Sequence, residues 1–231
     1  MINKVLKELR SEKNDEQAKI LSRFFKTGKG QYGEGDVFWG IRVPVQRMIA
    51  KKVKEVSLED IQELLNSKVH EHRMTGMLIL VEKYKKADNK REIYEFYLKN
   101  TKNINNWDLV DLTAPQIVGN FLLENKKERK ILYLLVKSNN LWERRISILS
   151  TFTLLRNKEY EDVLKLSEIL LKDEHDLIHK AVGWMLRELG KRDKKVEIIF
   201  LEKYYKIMPR TMLRYAIEKF DNQEKAIYMK K

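Results

Sequence analysis

The sequence predicts an all-α fold of antiparallel helix pairs. Three observations carry this. Apolar residues recur at helical spacing: Leu58, Ile61, Leu64 and Leu65 follow an i, i+3, i+4 pattern, and Met77, Leu80, Val81 and Tyr84 repeat it. Only three prolines and nine glycines punctuate 231 residues, and no Asn-Gly or Asp-Gly turn separates alternating strands. Finally, a basic residue followed by small and apolar residues returns at a regular interval.

The elements follow in order. The opening stretch MINKVLKELRSEK is charged and amphipathic, and reads as a helix rather than a leader with an apolar centre. Residues 27–40 hold five of the nine glycines and read as a long loop between helices, either an ordered surface loop or a contact to a DNA edge. They do not spell GxxxxGK[ST] and no strand precedes them, which argues against a phosphate-cradling nucleotide loop. Trp39, beside Gly40, reads as the hydrophobic anchor of that loop. Pro44 and Pro209 suit first-turn positions of helices, and Ser57 is placed to cap the helix that begins at Leu58. Polar loops fall at residues 85–90 and 100–106, and Asn106 is placed to cap a helix that begins at Trp107. Further helices run through Ile131, Leu134 and Leu135, and through Leu186 and Leu189. About a dozen segments of roughly 8–18 residues result.

The repeat is read from Arg73 in RMTGMLIL, Arg145 in RISILSTF, Lys180 in KAVGWMLR and Arg214 in RYAIEKF, at intervals of 72, 35 and 34 residues. The first interval is close to twice the others, so one repeat lies between, with its slot near residue 108 inside NNWDLVDLTAP. Helix pairs at this period are the signature of a HEAT-like α-solenoid, a superhelix whose concave face would carry the basic slots as a stripe. The whole chain, residues 1–231, reads as one such domain, with the last few residues frayed.

Charge narrows the function. Lys and Arg number 47 against 34 Asp and Glu, a net of +13, with a pI of about 9.6. A polyanionic partner is expected, nucleic acid first. With no cysteine, disulfide scaffolds, cysteine zinc sites, iron–sulfur clusters and thiol nucleophiles are excluded. Among the four histidines, His175 and His179 have ligand spacing, but no HExxH glutamate or third ligand accompanies them, and His70 and His72 face apart. No metal is expected. No apolar run approaches the ~20 residues a membrane span needs, so a cytoplasmic protein is expected, nucleoid-associated when bound to DNA.

One slot of the stripe breaks the pattern. Its residues are Trp107, Asp108 and Asp111, and an acid amid basic slots points to chemistry on a cation. Trp107 and Asp111 are four apart and share a helix face. Asp108, in the first turn, reads most simply as dipole complementarity, whereas Asp111 reads as functional, with a surface salt bridge as the plainer alternative. Trp184 is framed by Lys180, Arg187 and Lys191 at −4, +3 and +7, a face suited to ribose-phosphate or base contact, the plainer reading being a core tryptophan. Arg145 could clamp a phosphate or pair with an acid, and Trp142 reads as packing.

Together GEGDVFWGIRVPVQR (residues 33–47), HEHRM (70–74), NNWDLVD (105–111), LWERR (141–145) and HKAVGWMLRELGK (179–191) resemble the AlkD-type DNA alkylation repair family, from about residue 15 to 220. The resemblance implies a HEAT-like fold and a DNA glycosylase that removes N3- and N7-alkylated purines from duplex DNA without flipping the base. The family's catalytic tryptophan, aspartate, arginine and second tryptophan match Trp107, Asp111, Arg145 and Trp184. Asp111 would stabilise the oxocarbenium-like sugar and orient water. Arg73, Lys180, Arg187, Lys191, Arg214, Arg42 and Arg47 would hold double-stranded DNA through its phosphates. The resemblance implies no cofactor, since hydrolysis needs only water, and the chain is expected to act as a monomer. Residues 27–37 form a longer glycine-rich stretch than in the best-studied members. Relatives without glycosylase activity bind branched DNA, so a non-catalytic DNA binder is the first alternative, and a scaffold for an acidic protein partner the second.

Overall fold

The computed structural model describes residues 1–53 and 55–230. Among the described residues all regular elements are helical, and the extended backbone pairs only at an isolated parallel bridge between Val37 and Val69. Where the sequence reads as one domain, the chain divides into two compact units, Met1–Thr113 and Ala114–Lys231. Such a division suits a repeat fold, in which each helix packs mainly on its neighbours in sequence.

The first unit contains α1 (Ile2–Ser11), α2 (Asp15–Phe24), α3 (Val43–Lys52), α4 (Leu58–Leu65), α5 (His70–Lys86), α6 (Lys90–Lys99) and α7 (Trp107–Ala114). Ser57 caps α4 through a reciprocal capping box with Asp60, and Asn14 caps α2 by accepting from Gln17 N–H. Helix α5 packs against α3, α4 and α6 and is buried on nearly every face, which explains why it lacks one clean apolar stripe. Helix α1 docks by Val5 and Leu9, both fully buried, each contributing about 2 kcal/mol.

The second unit opens on Ala114, the last residue of α7, and a π-helical turn, Pro115–Gly119, where proline removes an N–H from the helical ladder. It continues through α8 (Asn120–Glu124), α9 (Lys130–Leu135), α10 (Leu141–Arg156), α11 (Glu161–Leu170), α12 (Asp176–Gly190), α13 (Lys194–Tyr204), α14 (Arg210–Ala216) and α15 (Asn222–Met229). Helix α10 packs on α9, α11 and α12, and α12 packs on α11, α13 and α14. Pro209 stands one residue before α14, and Pro44 falls in the first turn of α3.

The repeat has a register that the intervals alone do not give. Asp111, Arg145, Lys180 and Arg214 are each the fifth residue of their helix, in α7, α10, α12 and α14. Arg73 is the fourth residue of α5.

The glycine-rich segment is an ordered loop. Its backbone adopts positive φ at Gly30, Gly35 and Gly40. Gly40 is obligatory, because a Cβ there would stand 2.0 Å from the carbonyl oxygen of Asn14. Trp39 packs edge-on against His72 at 4.4 Å, with the Lys13 ammonium 4.5 Å from its ring centre.

Candidate functional site

Helix α7 carries the acid of the odd repeat. Asn106 is fully buried and accepts from the Trp107 N–H at 2.8 Å, which fixes the start of the helix. The half-buried Trp107 ring stacks on Phe25 at 5.2 Å and meets Phe24 edge-on at 5.8 Å. Asp111 lies one turn further along the same face and is also half-buried. Burial, reinforced by the Asp111 charge, pushes the phenol of Tyr97 well above its ordinary range.

Asp108 is buried and does more than complement the helix dipole. One of its oxygens accepts from the Leu109 N–H, and the other accepts from His70 Nε2 at 2.9 Å. On the other side of the ring, His70 Nδ1 lies 3.4 Å from Asp36 Oδ2, and Asp36 Oδ1 pairs with Arg73 at 2.7 Å. Burial opposes a charge on His70, but the Asp108 carboxylate and the hydrogen bonds to both acids outweigh it and push the imidazole up to about 9. Burial likewise works against the Asp36 carboxylate, yet the His70 hydrogen bond and the Arg73 and His70 charges hold it below its ordinary range. Two residues on, His72 goes the opposite way. Burial, with the charges of Arg73, Arg10 and Lys13, depresses it to about 4. Nothing in local spacing announces this network, since Asp36 and Asp108 lie 34 and 38 residues from His70. The one available signal was the HEHRM segment itself.

This network corrects the reading of Arg73. Its side chain is only 5% exposed and is committed to Asp36 and to the Ser67 carbonyl, so it is not a surface phosphate contact. Its neighbour Glu71 grips the glycine-rich loop, accepting from the backbone N–H groups of Trp39, Gly40 and Ile41 at 2.9, 2.8 and 3.2 Å. Arg42 and Arg47 are exposed, at the start of α3 and within it.

In the second unit, Trp184 is half-buried and lies against Phe152 at 5.9 Å. Arg156 and Arg192 stand 5.5 and 5.7 Å from the Phe152 ring. The three cations framing Trp184 all have carboxylate partners. Lys180 pairs with Asp176 at 2.7 Å, Arg187 with Glu218, and Lys191 with Glu188 at 2.5 Å. Arg145 is buried and donates to the Leu177 carbonyl, whereas Arg214 is exposed. Trp142 is buried, in keeping with a packing role. His175 caps α12, its Nδ1 accepting from the Leu177 N–H. No group of three or more metal-ligating side chains occurs among the described residues. None of the described helices is long and apolar enough to cross a membrane.

Comparison with known proteins gives a consistent answer. The sequence matches the family described as DNA alkylation repair enzyme over residues 5–220. No curated protein matches it. The fold is similar to that of a solved protein described as a predicted DNA alkylation repair enzyme from Enterococcus faecalis. That match has a TM-score of 0.73 at 18% identity, and covers 91% of this chain and 98% of that one. AlkD2 from Streptococcus mutans is also similar in fold, with a TM-score of 0.58 at 19% identity, covering 90% and 99% of the two chains. The fold is thus an all-α solenoid, and the chain belongs to the DNA alkylation repair enzyme family.

Proposed function

We propose that this chain is a DNA glycosylase that hydrolyses the N-glycosidic bond of cationic N3- and N7-alkylated purines in duplex DNA, without flipping the base. The observation that carries the reading is the register of the repeat. The fifth residue of α7 is Asp111, one turn from Trp107, where α10, α12 and α14 carry Arg145, Lys180 and Arg214. An acid in that slot repels phosphate, so backbone binding alone gives it no use.

The chemistry fits such a group. A cationic purine is already a good leaving group, so no strong acid is required. The C1′–N bond breaks with its electron pair going to the base, which leaves neutral. Positive charge develops on the sugar, and water adds to C1′ and loses a proton. Asp111 stabilises that charge and orients the water. Trp107 and Trp184 offer ring faces to the cationic nucleotide and the deoxyribose. Arg145 supplies positive charge toward the backbone. Arg42, Arg47, Lys180, Arg187, Lys191 and Arg214 hold phosphates. Exposed ion pairs such as Lys180–Asp176 are worth about 0–1 kcal/mol, so exchanging a carboxylate for a phosphate costs little.

The test is release of N7-methylguanine from methylated duplex DNA. The parent should release base, and Asp111→Asn should be slower by about 100-fold or more while duplex affinity changes little. Release by Asp111→Asn at the parental rate would remove the assignment. Absence of release by the parent, with duplex or branched DNA still bound, would make the chain a non-catalytic binder.

A further inference from the structure

We propose that His70 is a positioning residue: bridging Asp36 of the glycine-rich loop and Asp108 of α7, it fixes the first turn of α7, and with it Trp107 and Asp111, to the loop. The inference rests on the proposed role of Trp107 and Asp111.

Charge balance is the first argument. The network contains Asp36, Asp108, Arg73 and His70, with the Asn105 amide on Asp36 completing it. Two carboxylates against one guanidinium leave a net −1, which a protonated His70 brings to zero. Only an imidazolium has two N–H donors, one for each carboxylate. A neutral ring would leave one buried acceptor poorly satisfied.

The second argument is geometric. His70 is 2% exposed and its ring lies in a run of aromatic contacts. Phe38 stacks on it at 4.6 Å, and Phe25 lies 5.2 Å from it on one side and 5.2 Å from Trp107 on the other. His70 therefore reaches Trp107 by two routes, through Phe25 and through Asp108, the residue next to Trp107. Packing alone does not close this region. A cavity of about 180 Å³ is walled by Phe24, Phe25 and Phe38 and touches His70 and Asp108. Side chains beside open space need directional bonds to hold one geometry. A buried ion network is also a poor means of gaining stability, because desolvation consumes most of its attraction. Its place beside the candidate chemistry accounts better for it than stability does.

The experiment labels the full chain with 5-fluorotryptophan and follows the four ¹⁹F resonances from pH 6.5 to 10, assigned by single Trp→Phe variants. The Trp107 resonance should titrate with a midpoint near 9, while those of Trp142 and Trp184 stay fixed in that step. The step should vanish in His70→Asn. In parallel, single-turnover release of N7-methylguanine at pH 7 should fall about 10- to 100-fold in His70→Asn, with duplex affinity within about threefold of the parent. A Trp107 resonance indifferent both to pH and to a folded His70→Asn would overturn the proposal. Equal loss of release and of affinity would also overturn it, showing a merely structural role. If His70→Asn does not fold, the titration of the parent decides. If the parent releases no base, the glycosylase reading fails, while the ¹⁹F titration still tells whether His70 governs Trp107.

Discussion

Trp107 in the first unit adjoins Asp108, whose carboxylate is bound by a buried, charged His70. Trp184 in the second unit adjoins Gly183, whose Cα lies so close to α14 that a Cβ would stand 2.4 Å from the Met212 carbonyl oxygen and 2.5 Å from Tyr215 Cβ. The contrast recurs between the surroundings of α5 and those of α10. Glu71 and the His70 network organise the first through carboxylates, one holding three loop N–H groups and two flanking the ring. The buried polar groups of α10 in the second unit are chiefly hydroxyls on backbone carbonyls, such as Ser147 on Leu132 and Thr153 on Pro115. A close crossing of helix backbones fixes an aromatic ring sterically and does not titrate. An ionic clasp fixes it directionally, and its strength depends on protonation.

The most damaging way to break this contrast is Gly183→Ala. The new methyl meets backbone rather than a flexible side chain, so α12 and α14 must part. A loss of about 3 kcal/mol is expected, lowering Tm by roughly 6–12 °C as followed by circular dichroism. A Tm within a degree or two of the parent would mean that the crossing yields easily and that steric closeness does not set Trp184.

The corresponding blow to the first unit is Glu71→Gln. A neutral amide keeps one carbonyl acceptor for three N–H groups and brings a donor among donors. A cost of about 2 kcal/mol is expected. It should appear first as faster limited proteolysis within residues 27–40, with cleavage in the second unit unchanged. Uniform acceleration across the chain would break the claim that the effect is local.

The smallest effect sharpens the comparison through pH. His70 has a folded pKa raised to about 9, so its contribution is complete below about 6.5 and is lost as pH rises through 9. The second unit holds a counter-example in Glu197, which is 2% exposed and whose Oε1 has no hydrogen-bond partner. Burial pushes its carboxyl up to about 8, ahead of a lowering influence from Lys194. Folding then favours a proton that the unfolded chain releases above about 4.5, so a penalty grows from there to pH 8 and levels off. Glu197→Gln should therefore raise Tm modestly at pH 8 and hardly at all at pH 4.5, and it should leave the His70 titration untouched. Stabilisation of equal size at both pH values would show that Glu197 carries no proton-linked penalty.

Much of this molecule was legible because helices are written in short spacings. The capping of α4 by Ser57, the burial of Trp142, and the shared face of Trp107 and Asp111 all depend on residues within about four positions of one another. The five-slot repeat was legible for a related reason. The basic residues return at intervals of 72, 35 and 34, so the acids near residue 108 stand out in the sequence against Arg73, Arg145, Lys180 and Arg214. Arg73 shows the limit. In sequence it is one more basic slot, yet its charge is spent inside the first unit on an aspartate 37 residues earlier. His70 is a stronger case. Two histidines stand two residues apart in HEHRM with no sign in the sequence of their charge, yet folding raises the pKa of His70 and depresses that of His72. The sequence by itself determined the helices, their repeat interval and the odd acid among basic slots, since these follow from local periodicity and residue type. Tertiary structure decided which charges are buried against one another, because protonation and pairing depend on distance and desolvation in space, and the partners in question are brought together only by folding.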